Sequence, residues 1–317
     1  MREAAFIKQN REKWKHFEGL LNGNGKQNPD KLSDLFIQVT DDLAYARTYY
    51  KKSKTTTFLN ALAGRVHQSI YINKKEEKNR LVGFWKYEVP QIVANNHKQL
   101  IYSVLFFFAF CLIGAVSAAH DENFVRVILG DDYVNMTIEN IKKNDPMAVY
   151  KHMGQVEMFF YITTNNILVA IRTLGMGIFF SLGTVFALFM NGVMLGSFQY
   201  FFYEYNVLGE SLLTIWIHGT LEISAIVIAG GAGLILGNSL LFPGTHSRMT
   251  SLKMRGKDAV KILVSIIPVL IVAGFLESFV TRLTHWPTAF RLGVIILSAI
   301  FIVGYFVILP MRIGKKE

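Results

Sequence analysis

Four ionisable side chains stand in stretches of this sequence that are otherwise apolar: Arg172, His218, Glu222 and Glu277. Asn165 and Asn166 add neutral polar groups to the same set. His218 and Glu222 are four apart, so on a helix they share one face. A charged group in the middle of a bilayer costs at least about 2.5–3.5 kcal/mol, so some interaction must offset it. Three chemistries would do so. One is a buried network that locks helix packing, with Arg172 donating, the glutamates accepting and His218 doing either. A second is a pathway for a substrate or for protons. A third is a metal or hydrolytic centre. Zinc takes three or four ligands, His218 and Glu222 supply two, and His285 is the nearest third only by depth. The network is the preferred reading, so no metal, no cofactor and no catalytic residue is expected. The sequence has no His-Glu-x-x-His, and neither a Ser/His/Asp set nor a phosphate-cradling glycine loop is apparent.

The elements that must position these residues follow from composition. Of 317 residues 51% are hydrophobic and 18% charged, with a mean hydropathy of +0.31, and the apolar excess lies in runs. This is the pattern of a membrane protein rather than of a soluble domain. Spans are expected at Leu100–Ala119, Thr163–Phe189, 211–238, Ile262–Thr281 and Leu292–Leu309, with a short apolar piece at 191–206. The 211–238 helix holds His218 and Glu222. Its Gly230, Gly231, Gly233 and Gly237, with Gly192 and Gly196 earlier, remove side-chain bulk and suit close helix packing in lipid. Cys111 is the sole cysteine, so a disulfide within the chain and thiolate metal clusters are excluded. No signal peptide is expected, because the first apolar run begins only near residue 99.

Residues 1–98 are polar and basic, with 18 Lys/Arg against 10 Asp/Glu. Three helices fit their periodicity. The first carries Phe6, Trp14, Phe17 and Leu21, and Asn22-Gly-Asn-Gly25 ends it. The second starts at Pro29 and carries Leu32, Leu35, Val39, Leu43, Ala46 and Tyr50. The third carries Phe58, Leu62, Val66 and Ile70. Residues 78–98, with Leu81, Phe84, Trp85, Val89, Ile92 and Val93 around Pro90, read as an amphipathic interfacial helix or as a fourth bundle helix.

Basic residues mark the cytoplasmic side. The N-terminal region has 18, the 239–261 linker five and the tail three, which puts 26 of 33 on one side. That side is inside only if 191–206 also crosses, giving six spans. Five spans with 191–206 re-entrant is the competing arrangement. With six, Arg172, His218, Glu222 and Glu277 all fall in the outer half of the membrane. The expected domains are a cytoplasmic helical region at 1–98, a first transmembrane helix at 99–119, an extracytoplasmic helical segment at 120–161, a bundle at 162–310 and a cytoplasmic tail at 311–317.

Several ordered blocks carry a family resemblance. His218-Gly-x-x-Glu222 is followed by Ile-Ala-Gly-Gly-Ala-Gly-Leu and by Leu241-Phe-Pro-Gly244. Thr164-Asn-Asn-Ile-Leu-Val-Ala170 with Gly183-Thr184, Asn191-Gly-Val-Met-Leu-Gly196, and Glu277-Ser-Phe-Val-Thr281 behind Pro268 agree with it. Together they resemble the stage II sporulation protein M (SpoIIM-like) integral membrane family over roughly residues 160–310. The resemblance implies a non-enzymatic component of the bacterial cell envelope, a scaffold or a member of a membrane complex. In sporulating relatives such a protein works with peptidoglycan-degrading partners. The long basic N-terminal region and the insert at 120–161 depart from that pattern and suggest a general envelope role.

The expectation is therefore an all-α, polytopic helical bundle in the bacterial inner membrane, with both termini cytoplasmic. Its partners are the lipid bilayer, other membrane or envelope proteins and a second copy of the chain, and nucleic acid is not among them. The alternative function is a permease-like transporter or channel subunit that uses the Arg/His/Glu cluster. With Cys111 removed, single cysteines at Asn144 and Ser247 should separate the two arrangements. An impermeant thiol reagent should label the Asn144 variant in cells with a permeable outer layer and leave the Ser247 variant unlabelled. Labelling of both would refute six spans.

Overall fold

The computed structural model describes residues 2–22, 29–51, 53–72, 80–143, 145–146, 148, 154–282 and 286–314. Among them the regular structure is helical throughout, with no strand. The chain divides into two compact units, Met1–Arg80 and Leu81–Glu317.

The first unit holds α1 (Glu3–Asn22), α2 (Pro29–Tyr49) and α3 (Lys54–Ile72). Pro29 stands at the first position of α2, where its missing N–H costs nothing. Phe6, Trp14 and Phe17 of α1 meet Val39, Leu43 and Ala46 of α2 and Leu59 and Leu62 of α3 in one core. Polar contacts fix the register. Trp14 Nε1 donates to Asp42 Oδ2 at 2.8 Å, and Thr55 Oγ1 donates to Glu3 Oε1 at 2.7 Å. One expectation is corrected. Phe58 is exposed, and Leu59 takes its place beside Leu62. Leu59 and Leu62 point into the core, whereas Phe58 lies at its edge, with its ring 6.1 Å from that of Trp14. The side chains of Leu21, Leu32, Leu35, Val66 and Ile70, and residues 23–28, lie outside the described set.

The second unit starts at α4 (Arg80–Gly83), passes through a π-helical turn (Phe84–Glu88) and enters α5 (Val89–Asn95). Then follow α6 (His97–His120), α7 (Glu122–Leu129), α8 (Asp131–Lys142), α9 (Gln155–Gly175), α10 (Leu182–Glu204), α11 (Leu208–Leu241) and α12 (Arg248–Phe275). A second π turn (Leu276–Val280), α13 (Thr288–Val303), a third π turn (Gly304–Ile308) and α14 (Leu309–Gly314) complete it. Caps set several boundaries. Asp121 accepts from Asn123 N at the start of α7, and Ser247 accepts from Thr250 N at the start of α12. Five segments are long and apolar enough to cross a membrane: α6, α10, α11, α12 with its π turn, and α13 through α14. The 21-residue α9 packs on α11 and α12 as a sixth bundle helix, and its Glu157, Asn165, Asn166 and Arg172 lower its hydropathy.

The short links make successive helices antiparallel. Gly177 and Ser181 lie against Gly233 and Gly237 at one end, while Ala118, Val125 and Phe201 meet at the other. α11 is the central helix, packed by α6, α9, α10, α12 and α13. Its apolar stretch is 78% buried, against 17% for α6 and 11% for α13–α14, so the latter present their apolar sides to lipid. Residues 81–95, expected as an interfacial or bundle helix, put Val89, Ile92 and Val93 into the same core as Ile302 and Phe306. Tyr305 OH donates to the Trp85 carbonyl at 2.5 Å, tying the third π turn to the first. Both turns stand just ahead of a proline, Pro90 and Pro310.

The span boundaries differ from expectation in one place. The break between the second and third crossings falls at 176–181, not at Asn191-Gly192. Residues 163–206 form one nearly unbroken apolar run, so hydropathy cannot place the break. Backbone does: Phe180 and Ser181 adopt φ of 53° and 67°, and Thr184 Oγ1 closes the turn by donating to the Thr173 carbonyl at 2.8 Å. Asn191 sits inside α10 and satisfies its amide on its own helix, at the Ala187 carbonyl. The piece at 191–206 thus belongs to a 23-residue helix of full crossing length.

The glycines expected at helix contacts are all at close approaches. A Cβ on Gly192 or Gly196 would collide with α6 backbone at Phe107 or Cys111, and one on Gly233 or Gly237 would collide with the 173–181 turn. Gly230 and Gly231 meet Leu188 and Leu100. Gly196→Ala is expected to cost about 1–3 kcal/mol, as overpacking does, whereas Gly175→Ala meets open space and should cost less than about 1 kcal/mol. Thermal unfolding of both variants in one detergent tests the difference.

Candidate functional site

His218 and Glu222 stand in the first third of α11, on adjacent turns of one face. Glu277 comes from the π turn that ends α12. A π turn inserts one residue into the helical ladder and re-aims the side chains around it, and such turns recur at functional sites. Together these elements bring one ligand atom from each of His218, Glu222 and Glu277 within 4.8 Å of one another. His218 Nε2 is 3.8 Å from Glu277 Oε1, with the imidazole 4% exposed.

The other ring nitrogen is tied down. His218 Nδ1 lies 3.0 Å from Thr281 Oγ1, and that hydroxyl donates to the Leu276 carbonyl at 3.2 Å. With its proton spent on Leu276, Thr281 is left to accept. In that arrangement Nδ1 carries the imidazole proton and Nε2 stands 3.8 Å from Glu277 Oε1. Asn166 of α9 is buried beside Glu222, within reach of its carboxylate.

A cavity of about 500 Å³ adjoins the cluster. Ile128 and Leu129 of α7, Tyr133 of α8, Phe198 of α10 and Ile223 of α11 form much of its apolar wall, and His218, Glu222 and Glu277 all line it. The volume is that of an ordinary small-molecule pocket. The cluster thus borders a cavity as well as its own partners. The glycines leave no room around Gly230–Gly237, but the cavity opens elsewhere, toward α7 and α8 near the start of α11.

The cluster expected from the sequence is assembled in part. His218, Glu222, Glu277 and Asn166 come together. Asn165 is exposed on the opposite side of α9. Arg172 is exposed too, and lies at the far end of the bundle. Its neighbour Thr173 packs at Gly233, fifteen residues beyond His218, or about 22 Å along the helix. The misplacement follows from the boundary: a second span over 163–189 put Arg172 in its upper half, whereas α9 ends three residues after it. His285 lies outside the described residues. Sequence reasoning missed Thr281 as a partner of His218. It also missed the pair between Arg291 Nη1 and Glu210 Oε1 at 2.7 Å, where Arg291 is 8% exposed. Both residues begin apolar helices at the same end of the bundle, and that shared level was the available signal.

These features define a polytopic, all-α membrane protein whose central helix supplies His218 and Glu222 to a His/Glu/Glu cluster beside a cavity. The family profile of stage II sporulation protein M matches residues 103–282, more than half of the chain, and the chain belongs to that family. A second profile, for a domain of unknown function, matches residues 4–72, the helices of the first unit. Comparison with curated proteins and with solved structures gives no match.

The geometry separates the two arginines. Arg291→Ala leaves Glu210 unpaired and empties a buried position; because Glu210 is half exposed, a loss of about 2–3 kcal/mol is expected, at or below the low end for a buried pair. Arg172→Ala should change stability by less than about 0.5 kcal/mol and combine additively with Glu222→Ala, since the two sites share no partner. Detergent unfolding of the single and double variants measures both.

Proposed function

We propose that this protein is a permease-like component of the bacterial cytoplasmic membrane, which takes a small ligand into a chamber within the outer half of the bilayer. The observation that carries the reading is the cavity of about 500 Å³ whose polar wall is formed by His218, Glu222 and Glu277. A packing network would satisfy its own groups. Here the two carboxylates and the imidazole, besides their contacts with one another and with Thr281 and Asn166, line an open cavity. Ionisable groups in that setting mark substrate or ion routes more often than fold determinants. The sidedness rests on the basic residues. Those of the 242–261 linker and Arg312 stand at one end of the bundle, and Arg172 stands at that end as well. Basic residues collect on the cytoplasmic side, so the cavity and the α7–α8 segment face outward and both termini inward.

The scaffold role implied by the family is a second reading. Its support is the first unit, three helices with a core of their own and a separate family profile, a suitable platform for a partner protein. Neither reading requires catalysis, and the protein is taken as non-enzymatic.

Access tests the chamber. In a Cys111→Ala background, Ile223→Cys should react with a small water-soluble thiol reagent applied from the outer side. Ala229→Cys, fully buried two turns further along α11, should stay unreactive. Equal, slow reaction at both positions would show that no hydrated chamber reaches the cluster.

A further inference from the structure

We propose that His218, Glu222 and Glu277 bind a divalent transition-metal ion, with zinc the best fit, so that the polar wall of the chamber is a metal site. The proposal rests on the chamber reading and names the class of ligand it takes.

Three independent observations converge. The first is the donor set. One imidazole nitrogen and two carboxylates bring their ligand atoms within 4.8 Å of one another. Ligands about 2.1 Å from a tetrahedral zinc lie roughly 3.4 Å apart, so binding requires the groups to close by up to about 1.4 Å. Two glutamate side chains can supply that by rotamer adjustment. The second is the support behind the histidine. In metal sites the non-ligating imidazole nitrogen donates to a fixed acceptor, which sets the tautomer and aims the other nitrogen at the ion. Nδ1 has this acceptor in Thr281 Oγ1, itself held by the Leu276 carbonyl, and Nε2 faces Glu277. The third is charge. Among the described residues neither Glu222 nor Glu277 has a lysine or arginine partner. Arg172, the counter-charge expected from the sequence, lies at the far end of the bundle, and Arg291 is engaged with Glu210. Two carboxylates this close in a water-poor site need a compensating cation or bound protons.

The ligand types choose among cations. Calcium and magnesium prefer all-oxygen shells, whereas an imidazole in the first shell favours zinc and its neighbours. Three protein ligands leave the fourth position of a tetrahedral ion to water or a ligand entering from the cavity. Asn166, buried beside Glu222, is placed to donate to that carboxylate or to a metal-bound oxygen atom. Thr281 is a positioning residue, acting through His218.

The test uses the full-length protein in mild detergent, stripped with a chelator and titrated with zinc. The expected result is about one tightly held zinc per chain, with an absorption-edge shell of nitrogen and oxygen at about 2.0–2.1 Å and no sulfur. E222Q/E277Q should lose it. T281V should weaken zinc binding about ten- to a hundredfold, and the rise in unfolding temperature that added zinc gives over the metal-free form of the same variant should shrink with it. Wild-type protein that holds no more zinc than E222Q/E277Q would overturn the proposal. So would a shell without imidazole, a measurement that needs no variant and stands even if the double variant fails to fold. If zinc binding fails while Ile223→Cys still reacts from outside, the chamber survives and its ligand is of another class. If both fail, the chamber falls as well.

Discussion

A helix buried on all sides inside a membrane gains nothing from the hydrophobic effect by leaving lipid, because its neighbours are no more apolar than the acyl chains. The bundle depends on how α11 meets this constraint. Its association must come from short-range contact, and contact over a long interface needs small residues where backbones cross. Gly230, Gly231, Gly233 and Gly237 let α6, α10 and the 173–181 turn approach α11 where any side chain would hold them off. Serine and threonine hydroxyls finish the job by bonding across the seams. Ser103 Oγ donates to the Val227 carbonyl at 2.6 Å, and Thr184 does the same at Thr173. Tight at this end, α11 spreads its neighbours apart at the other, where Trp216, His218 and Glu222 are larger and a cavity remains. One helix thus holds the bundle together over half its length and opens it over the other half.

The polar cluster inherits its position from that division. It needs the loose half for its side chains and the tight half to keep the helices from shifting. The π turn at Leu276–Val280 serves the same end, because an ordinary helical turn would carry Glu277 to another face of α12. Thr281, two residues beyond Phe279 on the same turn, then reaches back to His218. Two residues at the end of this segment, Glu277 and Thr281, thereby face one residue of α11, His218.

Much of this was legible in the sequence, because it depends on composition and short spacing. The all-α bundle of long apolar helices, the central place of the 211–238 helix, the contact glycines and the grouping of His218 with Glu222 and Glu277 follow from apolar runs, from i to i+4 geometry and from shared depth. What was not legible depends on where a chain turns inside an apolar run. Nothing in the hydropathy of residues 163–206 marks 176–181, and a left-handed pair at Phe180 and Ser181 has no strong sequence signature. That single boundary moved Arg172 from one end of the membrane to the other and changed the chemistry of the site, since two carboxylates with an arginine form a salt bridge and two without one form something else. The cavity was illegible for a related reason. It lies between α7, α8 and the bundle, and no periodicity in residues 120–161 states which face of those helices docks.

The contact between the first and third π turns has a consequence for biosynthesis. Val89, Ile92 and Val93 complete their burial against Ile302 and Phe306, and the Trp85 carbonyl receives its partner from Tyr305. These partners are separated by more than two hundred positions in the chain, so the segment that leads into the first crossing is made early and must wait for the last. Until the ribosome has delivered α12 and the final helix, the three apolar side chains ahead of α6 lack the surfaces that cover them. Insertion of the first crossing and its final docking are therefore separate events in time, and a chain truncated before residue 302 would leave its own beginning unfinished.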